Sequence, residues 1–299
     1  MNKGILNGIG AYALWGLFPI YWKFLHQVPA LQVIGHRISW SFVLLMILIV
    51  LTKQWKDFRS AALTFKTLGI YSIAAVLLTI NWLVYVWGVN SGFIVETSLG
   101  YFINPLLSVL LGVVFLHERL RPAQWIPVAL AAAGVVYLTV VYGRLPWIAL
   151  SLAFSFGFYG FVKKLSPLGS LYGLTLETGI AFPFALIYLA LVEFNGIGAF
   201  LHQGVQTDIL LIGTGVVTSI PLLMFASAAK QIPLTVVGLL QYIAPTLQFL
   251  IGVFVYREPF DQAHLIGFGI VWVALVIFWV ENLLAHRVPV EPIPEMGEG

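Results

Sequence analysis

Cysteine is absent from the 299-residue chain, which excludes thiolate metal sites, disulfides and thiol chemistry. Charge is scarce: Asp, Glu, Lys and Arg together make up 9% of residues, against about 25% in soluble domains. A soluble fold of this length needs more polar surface than that, so much of the exterior must face lipid. The formal charge of +3 forms no basic stripe, and nucleic acid is not an expected partner. Also missing are a Gly-rich phosphate loop ending in Lys-Ser/Thr, a His-Glu-x-x-His pair and a Gly-x-Ser-x-Gly elbow. No metal, no cofactor and no enzymatic activity are therefore expected. The one nucleophile–base spacing, Ser227-x-x-Lys230, has no supporting motif.

What fills the chain instead is apolar: 60% of residues are hydrophobic. A helix needs about 20 such residues to cross a bilayer. Cutting at polar and Pro/Gly breaks predicts ten spans, at 4–25, 31–51, 67–88, 95–115, 122–141, 145–162, 170–192, 209–229, 233–255 and 262–284. The first is longer than a signal peptide's core and has no small-residue cleavage site, so it reads as a retained helix. The longest connections are 52–66 and 193–208. In the first of them Trp55, Phe58 and Ala62 recur at helical spacing among basic residues, which fits an interfacial helix or a plain basic loop. The Pro- and Glu-rich tail, 285–299, reads as disordered and cytoplasmic.

Lys and Arg set the orientation. With a cytoplasmic N-terminus, eleven of them fall on inside segments and three (Lys23, Arg144, Arg257) on outside ends, while Arg37 lies within a span. That bias places both termini in the cytoplasm. A shift of 140 residues sets 101–120 against 241–260, with Pro105 on Pro245, Gly112 on Gly252 and Glu118 on Glu258. Over residues 96–135 it yields ten identities, and it brings 53–66 onto 193–206. Five spans per half force the second copy to enter from the opposite side. The expected fold is an all-α membrane protein of ten transmembrane helices, built as two inverted five-helix repeats over 1–142 and 143–284. Such repeats typify secondary transporters with a midplane site. Prolines within predicted spans (Pro19, Pro105, Pro127, Pro183, Pro221, Pro245) each remove a backbone hydrogen bond. Pro105 and Pro245 are the pair expected to form functional kinks.

Five stretches carry a family resemblance: GIGAYALWGLFPIYWKFL in the first span, GHRISWSF in the second, NWLVYVWGVNSG in the third, ETSLGYFINPLLSVLLGVVFLHERL through the fourth, and PLLMFASAAKQIPLTVVGLLQYIAPTLQFLIGVFVYREPF over the eighth and ninth. They resemble the drug/metabolite transporter superfamily, in its ten-helix EamA branch, and within it the RarD-type permeases, usually labelled chloramphenicol-sensitivity proteins. The resemblance implies an inner-membrane location and export of small metabolites or drugs, without ATP. Small multidrug exporters of that superfamily hold cationic drugs with a carboxylate in the first span. This first span has none. Neutral, zwitterionic or anionic cargo is the expectation, carried by alternating access.

An ionisable group within a span is costly and marks a candidate site. Arg37 lies six residues into the second span, and the 140-residue shift carries it onto Glu177 in the seventh. One reading has the two flanking a central cavity and holding the ends of a polar substrate. The other has Arg37 snorkelling outward and Glu177 bonded to a neighbour. His36 could carry a proton or be satisfied within its helix. Lys23 ends the first span, as a snorkelling cation or a gate. Glu96 opens the fourth, as a helix cap or a proton or substrate site. Glu118 and Glu258 are expected to pair with Arg119 or Arg257. Asn81, Trp82, Tyr85, Tyr101, Asn104, Gln241 and Tyr242, with Gln248, supply the polar and aromatic lining that a flat small molecule needs. Coupling to protons through Glu96, Glu177 or His36 and plain facilitated diffusion both remain open. The expected partners are a small-molecule substrate and the lipid bilayer. A non-transporting sensor or partner subunit is the rival reading.

Overall fold

The computed structural model describes residues 2–91, 93–143, 145–256 and 262–285. The expectations placed on Arg144, Arg257, Glu258 and the tail beyond Ala285 lie outside these residues. Regular structure among the described residues is helical: α1 (Lys3–Gly16), α2 (Phe18–Lys23), α3 (Ala30–Leu51), α4 (Trp55–Ala62), α5 (Phe65–Asn90), α6 (Ile94–Phe115), α7 (Trp125–Tyr142), α8 (Trp147–Leu165), α9 (Ser170–Phe194), α10 (Val205–Gln231), α11 (Leu234–Leu240), α12 (Ile243–Leu250) and α13 (Gln262–Ala285). The helices α3, α5, α8, α9 and α10, and α7 with the turn before it, are long and apolar enough to cross a membrane by length and composition.

Two predicted spans are broken. The first stops at Gly16, turns at Leu17 and resumes as α2 with Pro19 at its second position. The ninth divides into α11 and α12 at Gln241 and Tyr242, then widens to π-type turns over Ile251–Val255. Pro245 cannot donate to the Gln241 carbonyl four residues back, and Ala244 N–H takes that carbonyl in a tighter turn at 3.2 Å. Pro105 sits inside an unbroken α6. The two prolines, expected to act as a matched pair, thus behave differently.

The element boundaries repeat at the 140-residue shift. Residues 30–51 and 65–90 correspond to 170–194 and 205–231, and 94–115 correspond to 234–255. The packing repeats as well. The pair α1 with α10 is answered by α8 with α5, α3 with α10 by α9 with α5, and α6 with α8 by α12 with α1. Three further pairs, α3 with α9, α6 with α11 and α7 with α13, map onto themselves.

Close approach depends on small residues, since association in lipid is driven by packing and internal hydrogen bonds. Along α1 the buried Gly4, Gly8, Tyr12 and Gly16 recur every fourth residue and form one face. A Cβ at Gly8 would lie 2.7 Å from Leu240 Cδ1, and one at Gly238 2.7 Å from the Pro105 carbonyl oxygen, so neither position admits a larger residue without displacement. The main core joins Tyr12, Leu45, Leu78, Tyr159, Phe225 and Leu240 from six helices. Outward faces stay apolar, with Phe184 74%, Val140 72% and Phe254 73% exposed, which is the reverse of a soluble surface.

The connection between α3 and α5 is helical in part. Phe58 and Ala62 of α4 bury against Ile49, Tyr71 and Leu176, while Trp55 stays outside. The later long connection runs back over α3. Gln32 donates to the Ile197 carbonyl and accepts from Ala199 N–H, which sets Phe200 against His36.

Candidate substrate cavity

Between the helices lies a cavity of about 280 Å³, lined from residues 12–104 by α1, α2, α3, α5 and α6 and from residues 152–248 by α8, α10 and the α11–α12 segment. Its position follows from the two helix breaks. The α1–α2 turn and the α11–α12 turn leave Trp15 to Trp22 and Gln241 to Gln248 bordering the same space. Among the described residues Arg37 is the one charged residue that lines it, and no Asp or Glu does.

Arg37 is held from two directions. Its Nε donates to Thr218 Oγ1 at 3.0 Å, and its guanidinium carbon lies 4.5 Å from the Trp82 ring centroid and 4.9 Å from that of Trp22. Cation–π contacts of this kind strengthen when desolvated. Tyr85 and Tyr101, with ring centroids 5.8 Å apart, form one wall. Asn81 donates to the Leu152 carbonyl and to Ser155 Oγ, fixing α5 to α8. Gln241 donates to Ser108, and Gln248 to the Trp15 carbonyl. The buried Oδ1 of Asn104 has no hydrogen-bond partner among the described residues. The site is thus a rigid aromatic box with one cation and several amides.

Several expected residues lie elsewhere. Glu177 does not reach the cavity: α9 turns it toward α8, where Lys163 Nζ sits 2.6 Å from Oε1 and Tyr159 donates to Oε2 at 3.1 Å. Both charged side chains are only 1% exposed. Neither of the two readings holds whole: Glu177 is bonded to neighbours and forms no clamp with Arg37, while Arg37 faces the cavity and does not snorkel outward. His36 is buried against Phe200, away from the cavity lining. Glu96 opens α6, yet its carboxylate accepts from Ile148 N–H at 2.7 Å, at the start of α8, so among its contacts is the cap of a neighbouring helix. Tyr242 faces the side core and donates to the Phe102 carbonyl, its own counterpart 140 residues earlier. Lys23 places its ammonium 3.7 Å from the Tyr256 ring centroid. Glu118 accepts from Leu234 N–H and Thr235 N–H at the start of α11, with Lys164 at 3.8 Å, in place of the expected pairing with Arg119. Ser227 bonds Asn7 and Gln231 while Lys230 bonds the Ser166 and Leu168 carbonyls, so these two do not form a nucleophile–base pair.

Sequence reasoning missed Lys163, counted among the charges of a helix end, and it missed Trp15, Phe18, Trp22 and Phe156 in the lining and Thr218 as the acceptor for Arg37. A signal for Lys163 existed: the 140-residue shift sets it on Lys23, just as it sets Glu177 on Arg37. Around the Lys163–Glu177 pair the end of the bundle that holds the start of α1 is tied together. Lys164 donates to the Ala229 and Ile232 carbonyls, and a Cβ on Gly4 would touch Ile232 and Gln231.

Helices with apolar outer faces enclosing one polar–aromatic cavity describe a multi-pass membrane transporter. Comparison with known proteins agrees. Residues 2–140 match the EamA-like transporter family. The chain is 48% identical over 287 residues to the uncharacterized transporter YojE of Bacillus subtilis, covering 93% of each. It is 43% identical over 286 residues to protein RarD of Streptomyces exfoliatus, covering 96% of this chain and 91% of that one. A crystal structure of a protein 18% identical superposes with a TM-score of 0.68 over 95% of this chain and 99% of its own, which speaks to the fold alone. The chain belongs to the EamA-like drug/metabolite transporters, among the RarD-type permeases.

Proposed function

We propose that this transporter is a secondary carrier of the inner membrane that exports small neutral, zwitterionic or anionic metabolites or drugs by alternating access, with the central cavity as its binding site. The observation that carries the reading is the cavity's construction: residues of both halves, on either side of the 140-residue repeat, line it together. Ten crossings are proposed, with α1 and α2 forming one and α11 through the π-type turns another, in two inverted sets of five over 1–142 and 143–284. The exchange of helix pairs under the repeat supports a two-fold relation between the halves, and five crossings in each make the second set inverted. The Lys/Arg bias puts the start of α1 and the Lys163–Glu177 end in the cytoplasm.

In this conformation the cytoplasmic end is the tied one. Alternating access then requires that the contacts joining the two halves at that end separate: Glu118 with the Leu234 and Thr235 N–H groups and with Lys164, and Gly4 against Ile232. Rocking of one half against the other opens that end and closes the outer one. Glu177, the buried carboxylate paired with Lys163, is the group through which a proton could be coupled to the cycle.

Flux into proteoliposomes tests the reading. Chloramphenicol and labelled aromatic or amino-acid-like metabolites are screened with and without a pH gradient. Saturable uptake of at least one compound, lost with Arg37→Gln, is expected. A protein that carries none of them while binding them at the cavity would instead be a sensor.

A further inference from the structure

We infer that the cavity is built for a small planar anion, an aromatic carboxylate with a hydrogen-bond donor on its ring, whose carboxylate docks on Arg37. This rests on the carrier reading above and narrows its cargo to one charge class.

Four observations converge. First, Arg37 spends one of its donors on Thr218, and its two terminal NH2 groups have no acceptor among the described residues. A guanidinium presents those groups as a fork that matches a carboxylate in bidentate geometry. Second, the fork is aimed before any ligand arrives. The Thr218 bond and the Trp22 and Trp82 rings fix its plane, so little rotamer freedom is lost on binding. Third, among the described residues no carboxylate lines the cavity to pair with an ammonium, and its one charged residue is a cation. Glu177 is held by Lys163 and Tyr159, and Glu96 accepts from the start of α8, so neither reaches in. A cationic or zwitterionic cargo would bring a positive charge with no carboxylate to pair it, beside the Arg37 guanidinium of like sign. Fourth, Asn104 Oδ1 is buried without a donor among the described residues. A ligand hydroxyl or N–H on the ring would satisfy it, and the Tyr85, Tyr101 and Trp82 faces suit the ring itself. The cavity volume of about 280 Å³ fits a single-ring compound, at the lower edge of the range that drug-sized ligands occupy.

The test uses three probes of one shape and different charge: 4-hydroxybenzoate, its neutral isostere 4-hydroxybenzamide, and the cation tyramine. Binding to the purified wild-type protein in detergent is measured by titration calorimetry, and flux of the same compounds in proteoliposomes. The expected result is binding of the benzoate at least about tenfold tighter than the amide, with no saturable binding of tyramine. Arg37→Gln should remove the benzoate's advantage over the amide. Equal affinity for benzoate and amide, tighter binding of tyramine, or no saturable binding of any probe overturns the inference. The wild-type comparison requires no variant to fold. The two readings also fail separately. Equal carriage of benzoate and amide sinks the anion inference and leaves the carrier intact. Discriminating, Arg37-dependent binding without flux of any compound upholds the anion site and sinks the carrier.

Discussion

At equivalent places in the two halves, 140 residues apart, one half carries Lys23 and Arg37 and the other carries Lys163 and Glu177. In the second half the two charges are opposite and close into a buried ion pair at 2.6 Å, joined by Tyr159. In the first half both are positive and cannot pair. Lys23 turns to the Tyr256 ring, and Arg37 is left in the cavity between Trp22 and Trp82. On the proposed reading, one sign reversal in a repeated framework separates a lock from a receptor. A buried carboxylate opposite a buried ammonium ties helices together, whereas a buried guanidinium without a carboxylate is completed by something that arrives. The same residues, read for composition alone, would count as four charges of equal standing.

This contrast predicts opposite consequences for substitutions at the two places. The largest effect is expected at the lock. Lys163→Met strands the Glu177 carboxylate in a site of 1% exposure and should cost about 3–5 kcal/mol in unfolding measured in detergent. Lys163→Met combined with Glu177→Leu should recover most of that loss, because an apolar pair of similar volume replaces a buried ion pair at little cost. If the double variant is no more stable than the single one, the pair is not what ties α8 to α9. Arg37→Gln should behave in the reverse manner. Its melting temperature should stay near that of the wild type, since one side-chain hydrogen bond is lost, while saturable flux of the transported compound falls at least about tenfold. A collapse in stability with flux per folded molecule preserved would make Arg37 a structural residue.

Smaller effects sharpen the comparison. Glu118→Gln weakens the acceptor for the two N–H groups at the start of α11 and should cost about 1 kcal/mol, read as a lower unfolding midpoint. Thr218→Val removes the one hydrogen bond that aims Arg37 and should lower substrate affinity only a few-fold, because the two indoles still hold the plane. A Thr218→Val loss as large as that of Arg37→Gln would mean that the aromatic faces contribute nothing to orientation.

Legibility differed by kind of feature. Each of the ten apolar stretches holds helix at nearly the bounds read from the sequence, because hydropathy, proline and glycine act locally and a span has a required length. The breaks at Leu17 and at Gln241–Tyr242 were not foreseen. Pro19 and Pro245 marked the neighbourhoods, but whether a proline splits a helix, as Pro245 does, or rides within one, as Pro105 does, is decided by packing. Arg37 was legible as an outlier, a charge where charge is expensive. Its aromatic cage was not, because Trp22 and Trp82 come from different helices and meet only through the rotation of α2 and α5. Glu177 was placed opposite Arg37 by depth alone. Depth says nothing of which face of α9 the residue occupies, and the four-carbon stem of Lys163 reached it from what looked like a helix end.

The lack of cysteine makes the most direct test clean, since a single introduced thiol has no background. Asn104→Cys sets that thiol in the cavity lining. Its modification by a membrane-impermeant maleimide is followed from each side of the membrane, in right-side-out and inverted vesicles. The expected result is reaction from both sides, slowed on both by a transported compound, as the tied end opens and closes in turn. Reaction from one side alone under every condition would contradict a carrier that alternates around this cavity.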